Sequence, residues 1–117
     1  MYEKINKPWG YYEILDFQEK YLIKKIYVKP KAKLSLQSHK HRSEHWVVVL
    51  GSAKVILDDK EHTLDINDSI YIPKQSKHRL ENNTETDLII TEVQIGDYLS
   101  ESDIIRYDDM YGREINS

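Results

Sequence analysis

Residues 37–51, QSHKHRSEHWVVVLG, decide how this chain folds, because polar side chains at one end lead into a run of large apolar ones. Residues two apart in a β-strand share a face and lie roughly 6–7 Å apart, so Gln37 and His39 point the same way. Glu44 follows His39 by five residues, which leaves room for a turn and a returning strand. His78 comes much later, after a turn that contains proline. Two hairpins are therefore expected to bring these four side chains to one metal ion.

Strand parity allows a second interpretation of the polar residues. Leu34 and Leu36 alternate with Ser35 and its polar neighbours, and in an ordinary half-buried strand the leucines would face the core while the polar side chains face water. The following segment favours the opposite orientation. Glu44 precedes the apolar run 46–50, which is expected to be covered on both faces, and a buried carboxylate there needs a partner. A cation between Glu44 and an inward polar face would provide that partner.

Length and composition limit the class of protein. The chain has 117 residues, of which 39% are hydrophobic and 32% charged, and its net charge is −3. Its length and composition indicate one soluble globular domain. Its net charge provides no positive electrostatic potential for binding nucleic acid. No apolar run approaches the roughly 20 residues of a membrane span. The first residues lack the apolar stretch of a signal peptide, so a cytoplasmic location is expected. Since the chain has no cysteine, any metal must be held by nitrogen and oxygen atoms.

Short runs rich in β-branched and aromatic residues, separated by Asp, Asn and Gly, predict β structure throughout. Nine strands at this spacing indicate an all-β sandwich or barrel, in a single domain over residues 1–117 with its strand core at about 10–95. A C-terminal flap, residues 100–117, is expected to contain one helical turn and an extended segment. The predicted strands are Tyr11–Phe17, Tyr21–Val28, Lys33–His39, Glu44–Leu50, Ala53–Leu57, His62–Ile66, Ser69–Ile72, His78–Asn82 and Asp87–Gln94.

Two spacings in the chain resemble the paired motifs of the cupin superfamily. The first is Gln37-x-His39-x4-Glu44-x6-Gly51, with Gln in place of the motif's first His. The second is Asn67-x5-Pro73-x-Gln75-x2-His78-x3-Asn82. Lys31, Asn67 and Gln75 stand where the family usually has Gly. The resemblance implies a cupin domain, which is a double-stranded β-helix or jelly-roll barrel, with the four side chains introduced above as its metal ligands.

Flanking segments narrow the resemblance to the cupin domain of type II mannose-6-phosphate isomerases. The likeness extends from Pro8 to Arg113. In many members of this family the domain is the C-terminal part of a bifunctional protein that also carries mannose-1-phosphate guanylyltransferase. The resemblance therefore implies a homodimer and makes a separate guanylyltransferase a candidate partner. The segments that carry it are Lys7–Gly10, Leu34–Gln37, His41–Trp46, Glu92–Gly96, Asp103–Arg106 and Tyr111–Arg113.

The activity that the resemblance implies is the interconversion of mannose 6-phosphate and fructose 6-phosphate, within the synthesis of sugar nucleotides and polysaccharides. A proton moves between C1 and C2 through an enediol. A divalent ion acting as a Lewis acid suits this reaction, because it stabilises charge on the adjoining oxygens. The mixed nitrogen and oxygen ligands match Zn²⁺, which is the expected ion, with Mn²⁺, Co²⁺, Fe²⁺ and Ni²⁺ as alternatives.

Two residues are candidate bases for the proton transfer. Glu92 shares a strand face with Gln94, and if that face is inward, burial raises the pKa of Glu92 toward the range of a general base. His41 has the parity of His39 and is the other candidate. It is alternatively a metal ligand in place of Gln37, or a pocket acid and base of near-neutral pKa.

Phosphate recognition requires cations, and three positively charged residues are candidates. Arg106 is the expected active-site guanidinium, which binds phosphate or assists charge development; the alternative is a surface ion pair with Asp108 or Asp109. Lys24 is predicted to contact substrate if its side of the strand faces inward, and to be solvated if the other side does. Arg42 is a further candidate, and Ser35 is predicted to hydrogen-bond a sugar hydroxyl.

Other functions fit the same sequence. One is a noncatalytic cupin that binds a sugar phosphate or accompanies a separate mannose-1-phosphate guanylyltransferase. Another is a different nucleotide-sugar-modifying cupin, either a metal-free epimerase or ketoisomerase or a metal-dependent oxygenase. The metal-free enzymes typically use a His-Asp pair, and no such pair stands out at suitable strand positions in this sequence.

Overall fold

The computed structural model describes residues 3–108 of the chain. All the regular structure in this range is β, and it contains no helix long and apolar enough to span a membrane. The strands are β1 (Lys4–Lys7), β2 (Gly10–Phe17), β3 (Tyr21–Val28), β4 (Leu36–Ser38), β5 (Arg42–Leu50), β6 (Ala53–Leu57), β7 (Lys60–Leu64), β8 (Ser69–Ile72), β9 (His78–Glu81), β10 (Leu88–Gly96) and β11 (Ile105–Asp108).

The strands form two antiparallel sheets. One sheet has six strands in the order β1-β2-β3-β10-β5-β8, and the other has five in the order β11-β4-β9-β6-β7. The chain crosses from one sheet to the other after β3, β4, β5, β7, β8, β9 and β10, so strands far apart in sequence become neighbours, such as β3 and β10. The all-β prediction is confirmed.

The core lies between the two sheets, and inner strands such as β3 and β10 alternate buried and less buried residues. In β3, every second side chain from Leu22 to Val28 is buried, which is the period-two pattern of a strand with one covered face. The six-stranded sheet contributes Val48 and Ile90 to the core, and the five-stranded sheet contributes Val55 and Leu80. Fully burying such a side chain stabilises a fold by roughly 1.5–3 kcal/mol, so this apolar layer holds the sheets together.

The nine predicted strands are all present, and two more flank them. β1 and β11 were not predicted, and the predicted strand Lys33–His39 is shorter, at Leu36–Ser38. In the C-terminal segment, a turn closed by the bond from the Asp103 amide to the Ser100 carbonyl (3.0 Å) precedes β11. The remainder of the predicted flap, residues 109–117, lies outside the described residues.

The three positions where the sequence departs from the motif glycines share one backbone conformation. Lys31, Asn67 and Gln75 have φ angles of 61°, 79° and 68°, in the left-handed region that glycine occupies without steric cost. A long-range backbone bond holds each of them: the Gln75 amide, for example, donates to the His39 carbonyl at 2.8 Å. The motif geometry is therefore retained although glycine is not.

Replacing Gln75 by glycine should stabilise the protein. The Gln75 side chain is exposed, so the main effect of Gln75→Gly is to relieve the left-handed strain of a residue with a Cβ, which costs about 1–2 kcal/mol, less the extra entropy that glycine loses on folding. We expect the free energy of unfolding to rise by about 0.5–1 kcal/mol in urea denaturation. Gln75→Ala keeps the Cβ and is the matched control, expected to give no gain. A Gln75→Gly protein no more stable than Gln75→Ala would contradict this explanation.

Candidate metal centre

Three of the predicted ligands meet in the interior between the sheets. His39 follows β4, Glu44 lies in β5 and His78 begins β9, and one ligand atom from each lies within 4.8 Å of the others. All three are buried, with at most 3% of their surface exposed. The two sheets thus supply the histidines from one side and the carboxylate from the other.

Backbone carbonyls fix the orientation of both imidazole rings. The Nδ1 of His39 lies 2.7 Å from the Asp103 carbonyl oxygen, and the Nδ1 of His78 lies 2.9 Å from that of Ser76. A carbonyl oxygen only accepts hydrogen bonds, so each Nδ1 carries the hydrogen and each Nε2 of the neutral ring has a free lone pair. This is the arrangement that metal-binding histidines use, since the bond at one nitrogen orients the other.

The Nε2 of His39 faces a carboxylate oxygen without a proton to share. Burial, and then the nearby charges of Arg42 and His78, lower the pKa of His39 to about 3, so the ring is neutral near pH 7. Its Nε2 lies 3.3 Å from Glu44 Oε2. Two hydrogen-bond acceptors at this distance repel each other unless a cation contacts both of them. The Arg42 guanidinium is one such cation, since its Nε lies 2.8 Å from Glu44 Oε2 and its Nη2 lies 3.4 Å from His39 Nε2. The same pair of acceptors also suits a divalent ion.

Glu44 is held in its ionised form by two donors. Trp46 Nε1 donates to Glu44 Oε1 at 2.9 Å, and Arg42 Nε donates to Oε2 at 2.8 Å. Burial opposes ionisation of Glu44, but the charge and hydrogen bond of the Arg42 guanidinium outweigh it and hold the pKa of this carboxyl below its usual range. The side chain is therefore an anionic oxygen donor of fixed orientation.

Gln37 completes the predicted set of donors. It pairs with His78 across β4 and β9 and lines the same pocket. Its Nε2 donates to Ser35 Oγ at 3.0 Å and lies 3.3 Å from the Ser35 carbonyl oxygen. Because that carbonyl only accepts, the amide nitrogen must face Ser35, which leaves the Gln37 Oε1 atom as an acceptor. Two imidazole nitrogens, one carboxylate and one amide oxygen suit Zn²⁺ or another divalent ion.

A buried lysine faces the same pocket. Lys24 lies on the inward face of β3 and is 4% exposed, which resolves the parity question left open by the sequence. Its ammonium lies 3.0 Å from Glu101, 3.8 Å from Glu92 and 4.2 Å from the centre of the Tyr12 ring. Burial disfavours the charge, but the two carboxylates outweigh it and raise the pKa of Lys24. The pocket therefore contains a permanent positive charge.

Glu92 lies between Lys24 and the candidate metal ligands. It is buried on the inward face of β10, and Gln94 Nε2 donates to its Oε2 at 2.7 Å. Burial, and then the neighbouring carboxylate of Glu44, raise the pKa of Glu92. A carboxyl group tuned in this way is suited to accept and return a proton.

Seven of the ten predicted site residues line one pocket, and His39 joins them through the ligand group that it forms with Glu44 and His78. Arg106 joins it because β11 pairs with β4, opposite Gln37. Of the two alternative partners of Arg106, Asp108 is paired with Arg79 at 3.0 Å, and Asp109 lies outside the described residues. The eight residues are Lys24, Gln37, His39, Arg42, Glu44, His78, Glu92 and Arg106.

Two predicted residues are placed elsewhere. His41 is exposed, and its ring contacts the Tyr98 ring at a centroid distance of 5.5 Å, because the chain turns directly after His39. Ser35 is fully buried behind Gln37, and its hydroxyl accepts the Gln37 amide instead of facing the pocket. These positions do not support the roles predicted for His41 and Ser35 at the substrate.

Sequence reasoning missed two residues of the C-terminal turn. Glu101 pairs with Lys24, and Asp103 accepts bonds from the Lys40 amide (3.0 Å) and the His41 amide (2.9 Å) as well as from His39. The only sequence signal for Glu101 was an inward lysine in need of a counter-charge. For Asp103, no pattern indicated that a backbone carbonyl would orient a ligand.

Comparisons with known sequences place this geometry in a family. The chain matches the family described as Mannose-6-phosphate isomerase C-terminal over residues 1–109. It is 46% identical over 113 residues to the mannose-1-phosphate guanylyltransferase ManC of Salmonella typhimurium, covering 97% of this chain and 24% of that protein. It is 51% identical over 110 residues to the alginate biosynthesis protein AlgA of Pseudomonas aeruginosa, covering 94% and 23%. The chain thus spans about a quarter of the length of these curated relatives.

Solved structures with the same fold include one described as a cupin. An RmlC-like cupin from Shewanella frigidimarina superposes with a TM-score of 0.76 at 22% identity, covering 87% of this chain and 88% of that one. KdgF from Halomonas gives a TM-score of 0.73 at 15% identity, covering 87% and 90%. At these identities the likeness concerns the fold alone, and it confirms the predicted cupin barrel.

The neutral His39 should make the metal-depleted protein less stable in acid. The folded pKa is about 3 and the unfolded one about 6.5, so above pH 7 neither state is protonated there and the residue has no effect. As pH falls below about 6.5, only the unfolded state binds the proton, and stability is lost down to the folded pKa. With a chelator present, we expect this residue to lower the free energy of unfolding by about 2 kcal/mol between pH 7 and pH 5.

Urea denaturation of wild type and His39→Gln at both pH values measures this effect. The variant has no titrating group at this position, so its loss of stability should be about 2 kcal/mol smaller than that of wild type. Equal pH dependence in the two proteins would contradict a buried neutral imidazole.

Proposed function

Since the chain belongs to the mannose-6-phosphate isomerase C-terminal family, we propose that it interconverts mannose 6-phosphate and fructose 6-phosphate with the help of a divalent metal ion. The observation that carries this proposal is the pair of imidazole Nε2 atoms that converge with the Glu44 carboxylate in a buried pocket lined by cations. A pocket of this kind suits an anionic sugar on which further negative charge develops during the reaction.

The metal would be held by Gln37, His39, Glu44 and His78, and Zn²⁺ is the proposed ion. When bound, it supplies Lewis acidity to the carbonyl and hydroxyl oxygens at C1 and C2, which stabilises the enediolate. The four ligands carry a single negative charge between them, so the centre stays electrophilic. The carbonyl bonds to both Nδ1 atoms support the proposal, since they orient the rings and leave each Nε2 as the atom that faces the site.

Glu92 is the proposed base that moves the proton between C1 and C2. Its position supports this role, because it lies on the inward face of β10, beside the candidate metal ligands. Gln94 donates a hydrogen bond that restrains its carboxyl group. One carboxyl group that accepts the proton from one carbon and returns it to the other is sufficient for an aldose–ketose isomerisation. Lys24, 3.8 Å away, would stabilise the ionised form between turnovers.

The phosphate of the substrate is proposed to bind at Arg106. This residue lines the pocket from β11, at the side of the pocket formed by the five-stranded sheet. A guanidinium binds phosphate through two parallel hydrogen bonds, which fixes the sugar as well as attracting it. Lys24 would attract the same anion from the opposite sheet.

Metal removal tests the proposed function directly. We expect purified protein to contain close to one divalent ion per chain and to convert mannose 6-phosphate in a coupled assay, with activity lost on chelation and restored by Zn²⁺. His39→Ala and His78→Ala should lower turnover at least about 100-fold, because a bound Lewis acid supplies several kcal/mol in the transition state. His62→Ala, outside the pocket on β7, is the control and should retain both metal and turnover. Full turnover by a metal-free protein would contradict the proposal.

Substituting the base separates chemistry from metal binding. Glu92→Gln keeps the size and the hydrogen-bond partners of the side chain but removes its ability to take a proton. We expect kcat to fall about 10²–10⁴-fold, with metal content unchanged and with loss of deuterium incorporation from D₂O into the sugar. Glu61→Gln, at a surface ion pair with Lys54, serves as the matched control. Unchanged exchange of the substrate proton in Glu92→Gln would exclude this residue as the base.

A second candidate function is supported by the names of the relatives. ManC is called a mannose-1-phosphate guanylyltransferase, and this chain matches only about a quarter of its length. The domain would then bind a sugar phosphate without converting it, and would accompany a guanylyltransferase carried elsewhere. For this function we expect mannose 6-phosphate to raise the melting temperature of the protein. The coupled assay should then show no product.

A further inference from the structure

The guanidinium of Arg42 is a buried cation placed against the proposed metal ligands. Arg42 is 5% exposed. Its Nε donates to Glu44 Oε2 at 2.8 Å, its Nη1 donates to the Ser100 carbonyl at 3.1 Å, and its Nη2 lies 3.4 Å from His39 Nε2. Three acceptors thus fix the guanidinium in one position. Two of these acceptors are the atoms that a divalent ion would need.

The Arg42 guanidinium and a bound divalent ion would lie close enough to repel each other. An ion bonded to Glu44 Oε2 at about 2.1 Å lies within about 5 Å of Arg42 Nε, because that nitrogen is 2.8 Å from the same oxygen. Both Arg42 and Glu44 are buried, and like charges at such a separation repel strongly where water does not screen them. Glu44 cannot neutralise both cations fully, since it carries a single negative charge.

We propose that Arg42 competes with the divalent ion for Glu44 and His39, and thereby sets how tightly this protein holds its metal. With no ion bound, the guanidinium neutralises the buried carboxylate; when an ion binds, the bond from Arg42 Nε to Glu44 is given up. This inference rests on the metal site proposed above and adds to it a residue that opposes loading.

The alternative role for Arg42 is to orient Glu44 for the metal. Partners of that kind strengthen binding, and their loss typically costs about 10–100-fold in metal affinity. The structure favours competition because Glu44 keeps a second orienting donor, Trp46 Nε1 at 2.9 Å on the other carboxylate oxygen. In addition, Arg42 approaches His39 at the nitrogen that would bind the ion, which an orienting partner of Glu44 has no need to do. The two roles predict changes of opposite sign.

Metal affinity of Arg42 variants decides between them. Metal-depleted wild type, Arg42→Leu, Arg42→Lys and Arg79→Leu would be titrated with Zn²⁺ and Co²⁺ against a chromophoric chelator, with no substrate present. We expect Arg42→Leu to bind at least about tenfold more tightly than wild type, because both the competitor and its charge are gone. Arg42→Lys keeps the charge and should stay within a few-fold of wild type. Arg79→Leu is the matched control, since Arg79 is also a buried arginine but bonds to Asp108 and the Leu34 carbonyl; its affinity should not rise.

Each outcome has a defined meaning. If wild type binds metal and Arg42→Leu binds it equally or more weakly, Arg42 does not compete and the inference is overturned, while the proposed function stands. If neither protein binds metal, the proposed metal site fails and the inference fails with it. Should Arg42→Leu fold only when metal is present, it would be prepared with Zn²⁺ and the rate of extraction by excess EDTA measured. At least tenfold slower extraction than from wild type supports competition, and equal or faster extraction refutes it.

Discussion

The structure depends on one electrostatic constraint: a buried carboxylate faces a neutral imidazole 3.3 Å away, and both present lone pairs to the same space. Leaving the ionised Glu44 without a partner in the interior would cost several kcal/mol, which is a large part of the stability of a typical domain, so a positive charge is needed there. Arg42 supplies it within the chain, and the donor set suits a divalent ion. The bonds from His39 and His78 to backbone carbonyls hold the imidazoles in the tautomer that accepts such an ion. Thus the chemistry of the site follows from how its donors are oriented as well as from which donors they are.

The fold meets this constraint by closing two sheets on each other. β5 contributes the carboxylate from one sheet, while β4 and β9 and the loops beside them contribute the amide and imidazoles from the other. Apolar side chains fill one part of the space between the sheets, and the polar set fills the rest. The family match and the cupin neighbours agree with this division of the interior. For the proposed isomerisation, a sugar phosphate must reach the polar part of this pocket.

The sequence predicted those features that depend on local spacing. Strand parity placed Gln37 and His39 on one face, because residues two apart in a strand share a face. The resemblance to the paired cupin motifs related them to Glu44 and His78. The sequence did not predict the contributions of the C-terminal turn. Glu101 contacts Lys24 across 77 residues of chain, and no local pattern encodes such a pairing. His41 was misplaced because its parity was extended beyond the end of β4, where the chain turns and the alternation stops. The glycine departures looked damaging to the motif, yet Lys31, Asn67 and Gln75 keep the left-handed backbone because tertiary hydrogen bonds hold it.

The proposed metal site depends on one cation that ligands from both sheets share. A crystal of the protein grown with Zn²⁺, with data collected on both sides of the zinc absorption edge, tests it most directly. We expect one anomalous peak about 2.0–2.2 Å from His39 Nε2, His78 Nε2 and a Glu44 oxygen, with Gln37 Oε1 completing the set. A peak only at the protein surface, or imidazole rings turned so that Nδ1 faces the ion, would contradict it.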